Sequence, residues 1–441
     1  MIDFENILKQ AWKLLSEYPL CDRCLGRMFS KLGFEMSNAE RGRMLKTALF
    51  MKILRQDKLT SQEMDVVLKL AETGFKPALS YLAKQGLNVR VKPCYICRNL
   101  LNMIGSLKIK VLRQLRNYKF KTYVVGTIMP EDILSREESI IIKFNLCYAE
   151  SIKREVNREI GKMVMDVFNA NVDFQKPDII ITVDFKRMDV NILSTSIFIK
   201  GYYRKLRPHM PQSTWICRKC GGLGCEYCNY TGRRRGPSIE ELLATVAIKF
   251  FQGEEVILHA SGREDIDVRT LGKGRPFIIE IKHPKNRDVD LPKLAEEVNK
   301  SFRGIIEIHG LEYTQRMEVE RLKHTAEKRR KTYRAIISLG KTISNEEIVK
   351  LEKHFENRLV RQRTPLRVLA RRPNIVREKL VQEVKTRKIG NNILEALIIA
   401  QGGLYIKELI SGDRGRTSPS FASILGYKAK CKYLEVLHVE G

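Results

Sequence analysis

Ser261-Gly262-Arg263-Glu264-Asp265-Ile266-Asp267-Val268-Arg269 packs two arginines and three acids into nine residues, directly after an apolar run ending near His259. Upstream, Glu255-Val256-Ile257-Leu258, and downstream, Phe277-Ile278-Ile279-Glu280-Ile281, read as strands: short runs rich in β-branched residues. The charged stretch is therefore a turn at a strand end. Most such turns are merely solvated. The pattern Gly-Arg-x-Asp argues for chemistry, because an arginine two residues from a carboxylate can pair with it, and a nucleophile or base must be anionic.

Outward from this turn, Tyr333-Arg334-Ala335-Ile336-Ile337 predicts another strand, and the last 200 residues or so mix strands with helices. Upstream, Thr122–Gly126, Ile140–Ile142 and Asp178–Asp184 read as strands around a helix over Ser151–Phe168, an α/β layer. The chain begins with helices, marked by Ile7, Leu8, Ala11, Leu14 and Leu15 and then by Leu45, Leu49 and Ile53. Arg316 to Lys331 predicts one solvated helix, and no repeat of fixed period stands out. The expected segments are 1–86 helical, 87–208 strand-helix, 209–238 a cysteine-rich insert and 239–441 the half that carries the turn. The fold class is α+β, with a central mixed, mainly antiparallel sheet in the second half.

Lys and Arg number 80 against 51 Asp and Glu, a formal charge of +29 that calls for a polyanionic partner. Nucleic acid fits. Membrane binding is not expected, since no apolar run reaches about 18 residues. The acidic start Met1-Ile2-Asp3-Phe4-Glu5 is unlike a signal peptide, so a cytoplasmic location is expected.

Eight of the ten cysteines form four C-x-x-C pairs, leaving Cys147 and Cys431 alone. In a reducing compartment this pattern means metal rather than disulfides. Cys217, Cys220, Cys225 and Cys228 place two knuckles close together, with Gly221, Gly222 and Gly224 for the tight turns, and resemble the zinc modules of J-type chaperones. Cys21, Cys24, Cys94 and Cys97 predict a second structural zinc, giving one or two ions in all. Four thiolates leave no open position for water, so neither site is expected to be catalytic. Pro93-Cys94-x-x-Cys97 also matches half of the zinc-deaminase signature, but no histidine precedes His209 to supply the other half.

The turn, continued by Thr270-Leu271-Gly272-Lys273-Gly274-Arg275-Pro276-Phe277, resembles the active-site motif of the archaeal and eukaryotic tRNA pseudouridine synthases that act in the TΨC loop. The resemblance extends in order through Lys331-Thr332-Tyr333, Arg363–Arg372 and Gly402–Thr417, with a THUMP-like RNA-binding region upstream. It implies that Asp265 attacks or deprotonates the target nucleotide and that Arg263 steers phosphate or pairs with that carboxylate. Tyr333 would stack on the uracil, Tyr405, Ile406 and Lys407 would line the pocket from a closing strand, and Leu434 would pack behind the base. Asp267 falls outside the motif. The implied reaction is isomerisation of uridine to pseudouridine at tRNA position 55, with 54 as a second target, by a monomer needing no small-molecule cofactor.

Extruding a nucleotide costs a few kcal/mol, which basic contacts must offset. Arg358 to Lys388, with 11 Lys and Arg against 2 Glu, and Tyr202 to Arg207 are candidates. Without the resemblance, Tyr333 would be a half-buried core tyrosine, Lys407 beside Glu408 a surface pair, and Arg371-Arg372 a solvated helix start. A methyltransferase or thiouridine synthetase would need a glycine-rich nucleotide loop, for which Gly272-Lys273-Gly274 is too short. A non-catalytic tRNA-binding zinc protein is the remaining alternative.

Overall fold

The computed structural model describes residues 4–55, 58–325, 329–370 and 372–440. It divides into two units, Met1–Thr195 and Ser196–Gly441.

The first unit opens with five helices, α1 (Phe4–Glu17), α2 (Asp22–Arg27), α3 (Asn38–Ile53), α4 (Ser61–Glu72) and α5 (Lys76–Lys84). Leu8, Ala11, Leu14 and Leu15 of α1 are buried, as their spacing predicts. Capping boxes, Ser37 with Glu40 and Thr60 with Glu63, start α3 and α4. Then follow α6 (Ile104–Leu115), β1 (Thr122–Ile128), α7 (Glu131–Lys143), α8 (Ile152–Phe168), β2 (Asn171–Val172), β3 (Ile179–Asp184) and β4 (Asp189–Ser194). The strands form a sheet of order β2-β1-β3-β4, with β1 parallel to β2 and β3. Ile152, Val156, Ile160 and Val164 recur every four residues along the buried face of α8.

Ile140–Ile142, expected as a strand, lies within α7. The buried face there is Ile133, Glu137 and Ile140, at helical spacing, while Ile142 is 71% exposed. The tertiary packing of that face outweighs the strand preference of a β-branched run.

The second unit runs β5 (Ile197–Lys205), α9 (Ile239–Phe251), β6 (Glu255–Ala260), β7 (Arg269–Lys282), α10 (Leu291–Ser301), β8 (Ile306–Thr314), α11 (Arg316–Thr325), β9 (Arg330–Leu339) and α12 (Asn345–His354). It continues with β10 (Arg358–Arg363), β11 (Val376–Gly390), β12 (Ile393–Gln401), α13 (Ile406–Ser411), β13 (Thr417–Ser418), α14 (Phe421–Leu425) and β14 (Ala429–Val439). Its sheet follows the order β13-β10-β11-β12-β9-β14-β7-β5-β8, with β6 added on β7. The pairings are antiparallel except β14 with β7, which run parallel at Glu435↔Arg269 and Val436↔Thr270. The sheet is therefore mixed and mainly antiparallel, as expected.

Strand β7 positions the site. Its first residues pair with β14, at Thr270 and from Arg275 onward it pairs with β5, and from Phe277 onward with β6, so it joins two cores. One core sets Leu243, Phe251, Leu294 and Val298 of α9 and α10 against Ile279 and Ile281. The other gathers Ala335, Ile337, Ile398, Leu409 and Phe421. The Gly-Arg-Glu-Asp turn connects β6 to β7 where the sheet changes partners.

Three expectations change here. Strand β5, inside the 87–208 segment, is an inner strand of the second unit's sheet. The tract Arg316 to Lys331 is not one helix, since α11 ends at Thr325 and β9 starts at Arg330; residues 326–328 lie outside the described ones. Ile406 and Lys407 open helix α13 rather than a strand. Gln362 holds the backbone just before them, donating to Tyr405 O (3.1 Å) and accepting from Tyr405 N (2.8 Å). Among the described residues no helix is long and apolar enough to cross a membrane.

Candidate active site and metal centres

A cavity of about 730 Å³ opens at the β6–β7 turn. Asp265, Arg263, Tyr333, Tyr405, Ile406, Lys407 and Leu434 all line it, although they come from separate stretches of chain. Eight lysines and arginines, against Glu264 and Asp265, make its walls cationic. Leu434 sits opposite Ala335 and Val436 opposite Tyr333 in the β14–β9 ladder, which builds an apolar wall beside the phenol. Tyr333 is 8% exposed, and burial pushes its hydroxyl up to about 12, so it is protonated at neutral pH.

Asp265 meets two cations. Its Oδ2 lies 2.8 Å from Arg367 Nη1 and 3.6 Å from Lys407 Nζ. Lys407 is closer to Asp267, donating to both carboxylate oxygens at 2.7 Å. Burial raises the Asp267 carboxyl, but those hydrogen bonds outweigh it and hold the group below the ordinary aspartate value. Arg263, for which the resemblance implies phosphate steering or a pair with Asp265, lies over the Trp215 ring. Arg367, to which the sequence assigns no separate role, takes the place at Asp265. Its neighbour Arg371 lies outside the described residues, while Arg372 lines the cavity.

Beneath the turn is a buried polar network with no counterpart in the expectations. Glu264, next to Asp265, is ion-paired with Arg275 (Nε to Oε2, 2.7 Å) and accepts hydrogen bonds from Tyr203 Oη at 3.0 and 3.2 Å. Gln212 donates to Tyr203 Oη (2.8 Å) and to Gly262 O (3.1 Å). Lys205 Nζ donates to the carbonyls of Asp265 (3.2 Å) and Ile266 (3.1 Å), and Arg275 Nη1 donates to Ser261 O (2.6 Å). The backbone that presents Asp265 is thus held from below by β5 and β7. The adjacent acid in the motif was the available signal; its long-range partners carry no sequence period.

Each expected cysteine set converges. In each, the four sulfurs lie within 4.8 Å of one another. Neighbouring sulfurs stand 3.7 Å apart in the first (Cys21–Cys97) and 3.7 to 4.0 Å in the second. Four thiolates at about 2.3 Å from one ion would be about 3.8 Å apart in a tetrahedron, so both sets fit a metal ion. Amides of Gly224 and Cys225 donate to Cys220 Sγ and Cys228 Sγ, giving the second set its knuckle form. In the first unit, fully buried Arg27 faces the charges of Cys24 and Cys21 and pairs with Glu137 at 3.2 Å. That cation offsets the net negative charge of a four-thiolate centre.

The family model described as "Pus10, C-terminal" matches residues 198–440, and "Pus10 THUMP domain, archaeal" matches 108–184. The chain is 41% identical over 433 residues to the tRNA pseudouridine synthase Pus10 of Methanocaldococcus jannaschii, covering 97% of this chain and 93% of that one. It is 38% identical over 428 residues to the same-named protein of Thermofilum pendens, covering 97% and 94%. With that identity running over nearly its whole length, and the C-terminal model matching more than half of it, the chain belongs to the Pus10 family of tRNA pseudouridine synthases.

Proposed function

We propose that the enzyme converts uridine to pseudouridine at position 55 of the tRNA TΨC loop, and also at 54, with Asp265 as its catalytic carboxylate and no small-molecule cofactor. The observation that carries this is the placement of Asp265 in the cavity beside the protonated Tyr333, with Arg367 and Lys407 at its carboxylate. The choice of positions rests on the motif resemblance.

The isomerisation breaks C1′–N1 and forms C1′–C5; the C5 proton is lost and N1 gains one, so no oxidant or energy source is needed. Asp265 attacks or deprotonates the nucleotide, with Arg367 and Lys407 at its carboxylate. Tyr333 offers an aromatic face to the extruded uracil, with Leu434 and Ile406 completing an apolar slot. The cationic walls take the flanking phosphates. Both cysteine sets hold structural zinc, which fixes the backbone and takes no part in the reaction. The enzyme acts as a monomer in the cytoplasm.

The deciding experiment is base-resolution pseudouridine mapping of an unmodified tRNA transcript after incubation with parent or Asp265→Ala protein, without added cofactor. The parent should modify positions 55 and 54, and the variant neither. Product from the variant at the parental rate would remove Asp265 from the mechanism.

A further inference from the structure

Between the second cysteine set and the catalytic turn lies a cluster of which the proposed mechanism uses only Arg263, as part of the cavity's cationic wall. Trp215, one of only two tryptophans in the chain, has three guanidiniums around its ring. Arg263 lies 5.5 Å, Arg235 5.8 Å and Arg234 5.9 Å from the ring centroid. The amide of Arg234 donates to Trp215 O (2.8 Å), and Ile216 bridges to Arg233, so the two strands of the insert are tied together here.

All three arginines are exposed, and among the described residues none has a carboxylate within ion-pair distance. Arg233, their neighbour, does have one, in Glu241. Three like charges held around one ring lie within about a Debye length of each other and repel. The indole orders them without cancelling their charge or using their N–H donors, unlike a carboxylate partner. Ordered guanidiniums with free donors and no counter-charge suit phosphate oxygens. Arg263 also lines the catalytic cavity, which puts the cluster at the cavity's lip.

We propose that Trp215, Arg234, Arg235 and Arg263 form a phosphate-binding lip that grips the RNA backbone next to the extruded nucleotide. The cysteine-rich insert is then part of substrate binding. This inference rests on the reading of the turn as catalytic.

The test uses the full-length, metal-loaded protein and an unmodified tRNA transcript, with binding measured across a salt series. Each phosphate left without its cation lowers the slope of log affinity against log salt by about 0.7 to 0.9. Arg234→Gln with Arg235→Gln should therefore flatten the slope by about 1.5 and raise KM about tenfold or more. Arg234→Lys with Arg235→Lys keeps the charges and should restore the parental slope. Metal content and melting temperature equal to the parent's separate a weakened grip on phosphate from a failure to fold. An unchanged slope in the Gln pair overturns the lip, as does a Lys pair that fails like the Gln pair. A parent that binds tRNA but forms no pseudouridine would sink the proposed function instead, while the slope comparison would still decide the lip.

Discussion

Arg367 is shared between Asp265 and Glu408. Its Nε and Nη2 reach the two oxygens of Glu408 at 2.7 and 3.2 Å, and its Nη1 reaches Asp265 Oδ2 at 2.8 Å. Glu408 is 5% exposed and sits in α13, so its bidentate grip fixes the guanidinium plane and aims the remaining nitrogen at the Asp265 carboxylate.

Replacing Arg367 with Met should therefore do two separable things. Leaving Glu408 buried without its partner should cost about 3 kcal/mol of stability. Losing the cation at Asp265 should lower turnover about a hundredfold. In Arg367→Met with Glu408→Gln, the melting temperature should recover most of its loss and turnover should not. Recovery of both would show that Arg367 acts only by holding the fold.

That Asp265, Tyr333 and Lys407 belong together is legible in the sequence because short runs of chain carry them, and the structure sets all three in one cavity, with Leu434, which the resemblance alone implies. What the sequence hides depends on long-range pairing. Arg367 meets Asp265 across about a hundred residues, and Glu264 meets Tyr203 and Arg275 across a sheet, and no local pattern announces either. Ile140–Ile142 misleads because β-branched composition says nothing of which face is buried. The four C-x-x-C pairs are readable as metal knuckles, and the structure brings them together in the two expected sets.

Glu264→Gln tests the support beneath the turn. Burial by itself raises the Glu264 carboxyl, but Arg275 and Lys205 outweigh it and hold the group below the ordinary glutamate value of 4.5. A folded-state value below the unfolded one gives stability that is complete above about pH 4.5 and is lost as pH falls through the lowered value. At pH 7 the variant leaves Arg275, 1% exposed, short of its counter-charge and should lose about 3 kcal/mol or more. In paired urea melts that deficit should shrink as the pH is lowered below about 4.5. A deficit constant with pH would mean that Glu264 is not charged in the fold.

The two cysteine sets predict about two zinc ions per chain by elemental analysis of purified protein. Cys217→Ser with Cys220→Ser should leave one, as should Cys21→Ser with Cys24→Ser. Removing the first-unit metal should also cost more stability, because Arg27 would remain buried beside a dismantled centre, with Glu137 as its nearest paired acid. Full occupancy in either double variant would show that the set does not act as one site.

Lys331 gives a test on the opposite side of the pH scale. It lines the cavity, is 7% exposed, and its ammonium stands about 3.1 Å from where a Cβ on Gly262 would be. Burial, with Arg275 adding to it, lowers its value to about 7. A lysine whose folded-state value lies below its unfolded value of 10.5 binds fewer protons in the fold, so the protein gains stability as pH rises from about 7 towards 10.5. Below about 7 the folded chain carries the full cost of a buried charge. Lys331→Met lacks that charge, so it should melt above the parent at pH 6, with an advantage that narrows steadily by pH 9. Groups common to both proteins cancel in the difference. An advantage that stays constant from pH 6 to 9 would show that Lys331 remains charged throughout, with solvent reaching it from the cavity.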